Sequence, residues 1–132
     1  MWMYQKETRA IEITVKPFYL EEQSEPDDSH FVFAYHIRIQ NNGHDVVQLL
    51  NRHWQITDGR GRIQEVRGPG VVGEQPVLRP GEAFEYTSGC PLNTATGIMV
   101  GTYEMETLDG ERFDVDIPAF SLDTPDAPVQ LN

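Results

Sequence analysis

Only one cysteine, Cys90, occurs in the 132 residues, so an internal disulfide and any paired-cysteine metal or redox motif are excluded. Long apolar runs are missing too. Nothing approaches the roughly 20 residues of a membrane helix, and the chain opens without a basic stretch leading into an apolar one. Basic residues are scarce, 10 against 21 acidic, and the formal charge of −11 argues against general binding of nucleic acid or anionic membranes. No stretch of ten or more residues carries a 3.6-residue apolar period, so no helix is predicted. These absences leave an acidic, cytoplasmic chain the size of one domain, spanning 1–132. It is long enough to bury a core without a staple or a metal.

What is present is β-structure, punctuated. The 11 glycines and 9 prolines fall between short β-branched and aromatic runs. From His30 to Gln40, Phe31, Phe33, Tyr35, Ile37 and Ile39 share one face, with Ala34, His36, Arg38 and Gln40 on the other, a period of two with one buried side. The same alternation marks Ile11, Ile13 and Val15; then Val46, Leu50, Trp54 and Ile56; then Phe84 and Tyr86. Met99, Tyr103 and Met105, and then Phe113, Val115 and Ile117, complete the set, with a weaker run from Arg62 to Val66. Turn signals separate the runs at Asn41–Asp45, Asp58–Gly61, Arg79–Gly81 and Asp109–Gly110. About seven antiparallel strands in two packed sheets are predicted, with Phe33, Tyr35, Ile37, Leu50, Trp54, Tyr86, Tyr103 and Val115 buried.

One register is legible in detail. A two-residue turn at Asp109-Gly110 would set Glu106 against Phe113 and mix the two faces of the hairpin. A three-residue loop, Leu108-Asp109-Gly110, sets Met105 against Phe113 and Tyr103 against Val115, with Gly110 in the left-handed position. The second register also places Glu104 opposite Asp114, with Asp116 beside them, on the outer face. Such a trio suggests a weak divalent-cation site, or a solvated acidic face distinct from the arginine-bearing region.

That arginine-bearing region runs from Arg52 to Arg79, where five arginines meet three acidic residues. It contains Gly68-Pro69-Gly70-Val71-Val72-Gly73, a literal GxGxxG. Pro76 and Pro80 follow too closely for a helix to start, so the dinucleotide-binding context is absent. A phosphate or pyrophosphate site at Arg67, Gly68, Gly70 and Gly73, using backbone amides, is the functional alternative to a purely structural loop. His30, His36, His44 and His53 show no ligand spacing, and Cys90 has no histidine nearby in sequence, so neither a metal centre nor a nucleophile is expected.

Several stretches together resemble the ApaG family, the DUF525 domain: Phe31-Val32-Phe33-Ala34-Tyr35, Val47 through Trp54, Glu65 through Pro76, Pro80-Gly81, Tyr86-Thr87-Ser88-Gly89, Gly97 through Met105, and Ile117-Pro118-Ala119-Phe120. They occur in family order and span about residues 9–125. The resemblance implies a fibronectin-III/immunoglobulin-like β-sandwich from a family with no established catalytic residues, and no cofactor is expected. It also implies links to cobalt resistance and magnesium efflux, a gene beside a diadenosine tetraphosphate hydrolase, and a partner-binding role like that inferred for certain F-box proteins and a polymerase-delta-interacting protein. Its proposed pyrophosphate motif maps onto Gly68, Gly70 and Gly73, where Pro69 removes one amide donor from any cradle. A non-catalytic binding module for an unidentified protein partner is therefore expected, with weak phosphate binding as the alternative.

Overall fold

Residues that alternate apolar and polar can bury one side only by pairing into sheets and stacking those sheets. The computed structural model describes residues 4–125, so the predicted limits 1 and 132 lie outside the described residues. Nine strands form among them: β1 (Tyr4–Thr8), β2 (Ile11–Tyr19), β3 (Phe31–Asn41), β4 (Val47–Asp58), β5 (Ile63–Pro69), β6 (Val77–Leu78), β7 (Ala83–Leu92), β8 (Thr96–Thr107) and β9 (Arg112–Asp123). One sheet has the order β1-β2-β3-β7. The other runs β5-β4-β8-β9, with β6 pairing the start of β4, and every pairing is antiparallel. This is the predicted all-β sandwich of the fibronectin-III/immunoglobulin type. The acidic segment between β2 and β3 forms two three-residue 3-10 turns, Glu21–Gln23 and Pro26–Asp28, neither with a buried residue.

The seven predicted strands are all present, and two more join them. β1 escaped the sequence reading because it is a polar edge strand reached through a turn without the usual residues. Thr8 pairs with Ile11, and the two loop residues, Arg9 and Ala10, both have positive φ (49° and 66°) where Asn-Gly is normally found. β1 lies against β9 of the other sheet. Lys6 pairs with Asp116 at 3.4 Å, the Tyr4 and Ser121 hydroxyls are 3.1 Å apart, and the Asp116 amide donates to Thr8 Oγ1 at 3.2 Å. This side of the sandwich is therefore closed.

Ala34, expected on the outer face of β3, is buried, and otherwise the core departs from the predicted residues at Leu50, which is only half-buried; Leu49 and Val47 are the buried residues there. The reason is a β-bulge. Leu49 pairs with Met105, but the next pair is Asn51 with Glu104, so Leu50 is an extra residue on β4. One inserted residue reverses the parity of everything before it. Trp54 and Ile56 face inward on even numbers, whereas Val47 and Leu49 face inward on odd ones. A second bulge, at Pro118-Ala119 on β9, does the same, moving the inward set from Val115 and Ile117 to Phe120 and Leu122. Trp54 packs edge-on against Tyr35 and Phe120, with ring centroids 5.4 and 5.8 Å apart. The β8–β9 hairpin has the predicted register, Met105 opposite Phe113 and Tyr103 opposite Val115, with Gly110 at φ 88°.

Four groups in this core, Tyr35, Tyr86, Tyr103 and Cys90, titrate only at alkaline pH, each pushed up first by burial. The Tyr86 and Tyr103 hydroxyls share a 2.5 Å hydrogen bond, and burial pushes both phenols above their ordinary range. Burial likewise pushes the Cys90 thiol from 9.0 up to about 11. Each folded-state pKa is raised, so its contribution is fully present below the unfolded pKa and is lost as pH climbs through the folded one. The melting temperature is expected to fall progressively between pH 9 and 11, and Cys90→Ala to flatten the early part of that fall in thermal melts. A flat profile to pH 11 in the native protein would contradict the buried placement of these groups.

Candidate functional site

The outer face of the five-stranded sheet is a lattice set by the pairings. Downstream of the Leu50 bulge the odd residues of β4 point outward, and their cross-strand partners follow. One row runs Pro69, Asn51, Glu104, Asp114; the next runs Arg67, His53, Thr102, Asp116. Glu65, Gln55 and Val100 follow, and Ile63, Thr57, Ile98 and Ser121 end the face. The first two rows frame a shallow depression of about 470 Å³, lined among others by Asn51, His53, Arg67, Gly68, Glu104 and Asp114. Arg67 and Glu65 stand on the β5 side, and Glu104 and Asp114, with Arg112 beside Glu104, on the β8–β9 side. His53 Nε2 lies 3.2 Å from Glu65 Oε1, with Arg67 3.9 Å from the same oxygen, and Asn51 Nδ2 donates to Glu104 Oε1 at 2.7 Å.

Two groups of residues that the sequence suggested separately thus border one depression. The arginine region and the acidic face were expected to form distinct surfaces; they are neighbours on a single sheet face, because β5 and β9 flank the same β4–β8 pair. Asn51, His53 and Thr102 were missed as site residues. The signal for them was available in their spacing from Trp54: odd positions on its strand face away from an inward indole.

Glu104, Asp114 and Asp116 do share the outer face. Glu104 is bonded to Asn51 and lies 3.9 Å from Arg112, and Asp116 pairs with Lys6. Among the described residues no three His, Cys, Asp or Glu side chains are grouped to hold a metal ion.

The glycine loop is not a single cradle. Arg67 is largely exposed on the sheet, whereas Gly73 sits at the tip of a tight turn. The Gly70 amide donates to Leu50 O at 2.8 Å, the carbonyl of the bulge residue, and the amides of Val71 and Glu74 exchange bonds with each other's carbonyls. The Arg52 guanidinium lies over Gly68 and donates to the carbonyls of Pro69 and Gly70, both at 3.0 Å. Gly70 has φ 64°, and a Cβ there would sit 2.3 Å from Glu74 O, so the position accepts no side chain. A β-bulge, a tight turn and an arginine packed flat on the backbone account for this motif without a ligand. Gly68 leaves room for the Arg52 guanidinium, which its Cβ would approach to 3.0 Å.

The remaining candidates are placed as follows. His36 is held on the other sheet between Thr87 Oγ1 at 2.8 Å and Glu85 Oε1 at 2.7 Å, and His30 and His44 are exposed. Cys90 is free and buried, and its burial moves the pKa away from the thiolate form a nucleophile needs. Among the described residues no helix is long and apolar enough to cross a membrane.

The class defined by this fold and face is a two-sheet β-sandwich with an uncovered, mixed-charge sheet surface. The ApaG domain (DUF525) matches residues 21–107. Protein ApaG of Paramagnetospirillum magneticum is 68% identical over 130 residues, covering 98% of this chain and 100% of that protein. Protein ApaG of Rhodospirillum centenum is 66% identical over 123 residues, covering 93% and 95%. Among solved structures, the ApaA protein from Bordetella pertussis superposes with a TM-score of 0.85 at 50% identity, over 94% of this chain and 98% of that one. The chain belongs to the ApaG family.

Proposed function

We propose that the protein is a non-catalytic binding module whose five-stranded sheet face holds a protein partner. The observation that carries this reading is the composition of that face. Ile63, Ile98 and Val100 are 62%, 53% and 40% exposed at one end, and they adjoin the polar rows that hold Arg67, His53, Glu104 and Asp114. An apolar patch beside charges of both signs suits a protein surface, which can match each region in turn. It suits a small anion poorly, since the amides of Gly70, Val71 and Glu74 are already bonded within the chain. On this reading any effect on cobalt or magnesium handling passes through the partner rather than through an ion held by Glu104, Asp114 and Asp116.

A photo-reactive amino acid in place of Gln55, between the two regions, tests this in living cells. One discrete protein adduct is expected, lost on introducing Ile98→Asp. An adduct unaffected by that substitution, or none at all, would remove the reading.

A further inference from the structure

The sandwich is closed where β1 lies along β9 and open on the opposite side. There β5 and β7 are both edge strands, each paired on one side only in the main sheet order. Between them runs a furrow, made of two adjoining hollows of about 260 and 320 Å³ that share Ile56, Gln64 and Pro91. Its β7 wall is the unbroken run from Ser88 to Leu92, continued by Asn93 just past the strand. Side chains alternate along a strand, so a wall of consecutive residues is made by the backbone edge itself. At about 3.4 Å per residue that wall accommodates a strand of five or six residues.

Trp54 lies on the furrow's floor. Its indole is 2% exposed, and its Nε1 is the buried side-chain polar atom without a hydrogen-bond partner among the described residues. The Cδ2–Cε3 edge of the ring lies over Gly101 on the β8 side, where an added Cβ would come within 2.8 Å of Cε3. The Cδ1–Nε1 edge is therefore turned towards β5 and the furrow. A buried N–H with no protein acceptor is rare in native structures, and a carbonyl brought into the furrow would supply one. The furrow is also basic on an acidic protein: Arg52 and Arg62 line it against Asp58 alone, whereas the whole chain carries −11.

We propose that the β5–β7 furrow binds an extended, acidic segment of a partner protein, which adds as a strand to the β7 edge at Ser88–Asn93 and presents a carbonyl to Trp54 Nε1. Strand addition draws affinity from main-chain hydrogen bonds: on the free edge Gly89 and Asn93 offer both N–H and C=O, while Pro91 offers its carbonyl alone. Arg62 selects carboxylate side chains, and Arg52, held on the Pro69 and Gly70 carbonyls, adds positive charge beside it. A second copy of this chain is a poor occupant, because two molecules of −11 repel. The proposal rests on the protein-binding reading but uses a different surface from the outer sheet face.

The test is selection from a displayed library of random ten-residue linear peptides on the full chain, followed by nitrogen-15 NMR with the selected peptides. Acidic peptides are expected, and they should shift the Trp54 indole N–H and newly protect the Gly89 and Asn93 amides from exchange. Arg62→Glu, at an exposed position, should weaken them at least tenfold, with Arg67→Glu on the outer face changing affinity less than twofold. Trp54→Phe should also weaken them, and Arg62→Glu keeps the test decisive if that core variant fails to fold. Peptides that instead perturb His53, Arg67 and Thr102 would overturn the furrow while leaving the outer-face reading standing. Concentration-dependent dimerisation with the same indole shift and no peptide would assign the furrow to a second copy and overturn the proposal. A library that yields no binder, together with no adduct at position 55, would sink both readings.

Discussion

Replacing Trp54 by alanine is expected to destabilise the protein by about 3–5 kcal/mol. The indole is the junction of the inward faces, packed edge-on against Tyr35 from one sheet and Phe120 from the other, and 2% exposed. Its removal leaves a cavity bounded by strands already hydrogen-bonded to neighbours, and such walls relax little. Urea denaturation monitored by far-ultraviolet circular dichroism should show the midpoint falling with the slope unchanged. A loss below about 1 kcal/mol, well under the range for such a truncation, would overturn this and show that the furrow beside Trp54 collapses into the space.

Gly101→Ala is expected to be nearly as damaging, for the opposite reason. Gly101 pairs with Trp54 across β4 and β8, and a Cβ there would approach His53 O to 2.4 Å and Trp54 Cε3 to 2.8 Å. A backbone carbonyl in a sheet has no room to retreat, so the strand or the indole must move, at about 3 kcal/mol. Gly89→Ala on β7 is the control. The nearest atom to its added Cβ is Phe33 O at 3.7 Å, an ordinary contact, so stability should change by less than about 0.5 kcal/mol. Equal losses in the two variants would mean that strand propensity, rather than the close approach over Trp54, sets the effect.

These two sites also mark where the sequence is and is not informative. Trp54 as a core residue is readable from its neighbours, since apolar alternation is a local property carried by adjacent side chains. The need for glycine at 101 is not, because the atoms that exclude a side chain belong to β4, some fifty residues away in the chain. The same division holds at the candidate site. Glu104 and Asp114 were placed opposite one another from loop length and face consistency alone, a short-range argument within one hairpin. That Arg67 stands on the same face, with His53 between, depends on β5 and β8 both pairing with β4.

Leu50 shows how a local rule carries its own failure. The period of two was correct on both sides of it, but a bulge adds one residue and reverses the parity, so extending the Trp54 phase backward selected Leu50 in place of Leu49. The bulge is itself fixed from a distance: the Leu50 carbonyl receives the Gly70 amide and the Gln75 side-chain amide, both from the glycine loop.

By itself, then, the sequence determined the strand class, most of the inward-facing residues, the absence of a helix at the glycine motif and the register of the last hairpin. All of these follow from side-chain alternation and turn chemistry within about ten residues. The tertiary structure alone decided where parity breaks, which charged groups share a face, that β1 seals one side of the sandwich, and that β5 and β7 leave the other open above an unpaired indole N–H. Those outcomes rest on hydrogen bonds and close approaches between segments far apart in the chain, and no local pattern encodes which distant strand a given edge will meet.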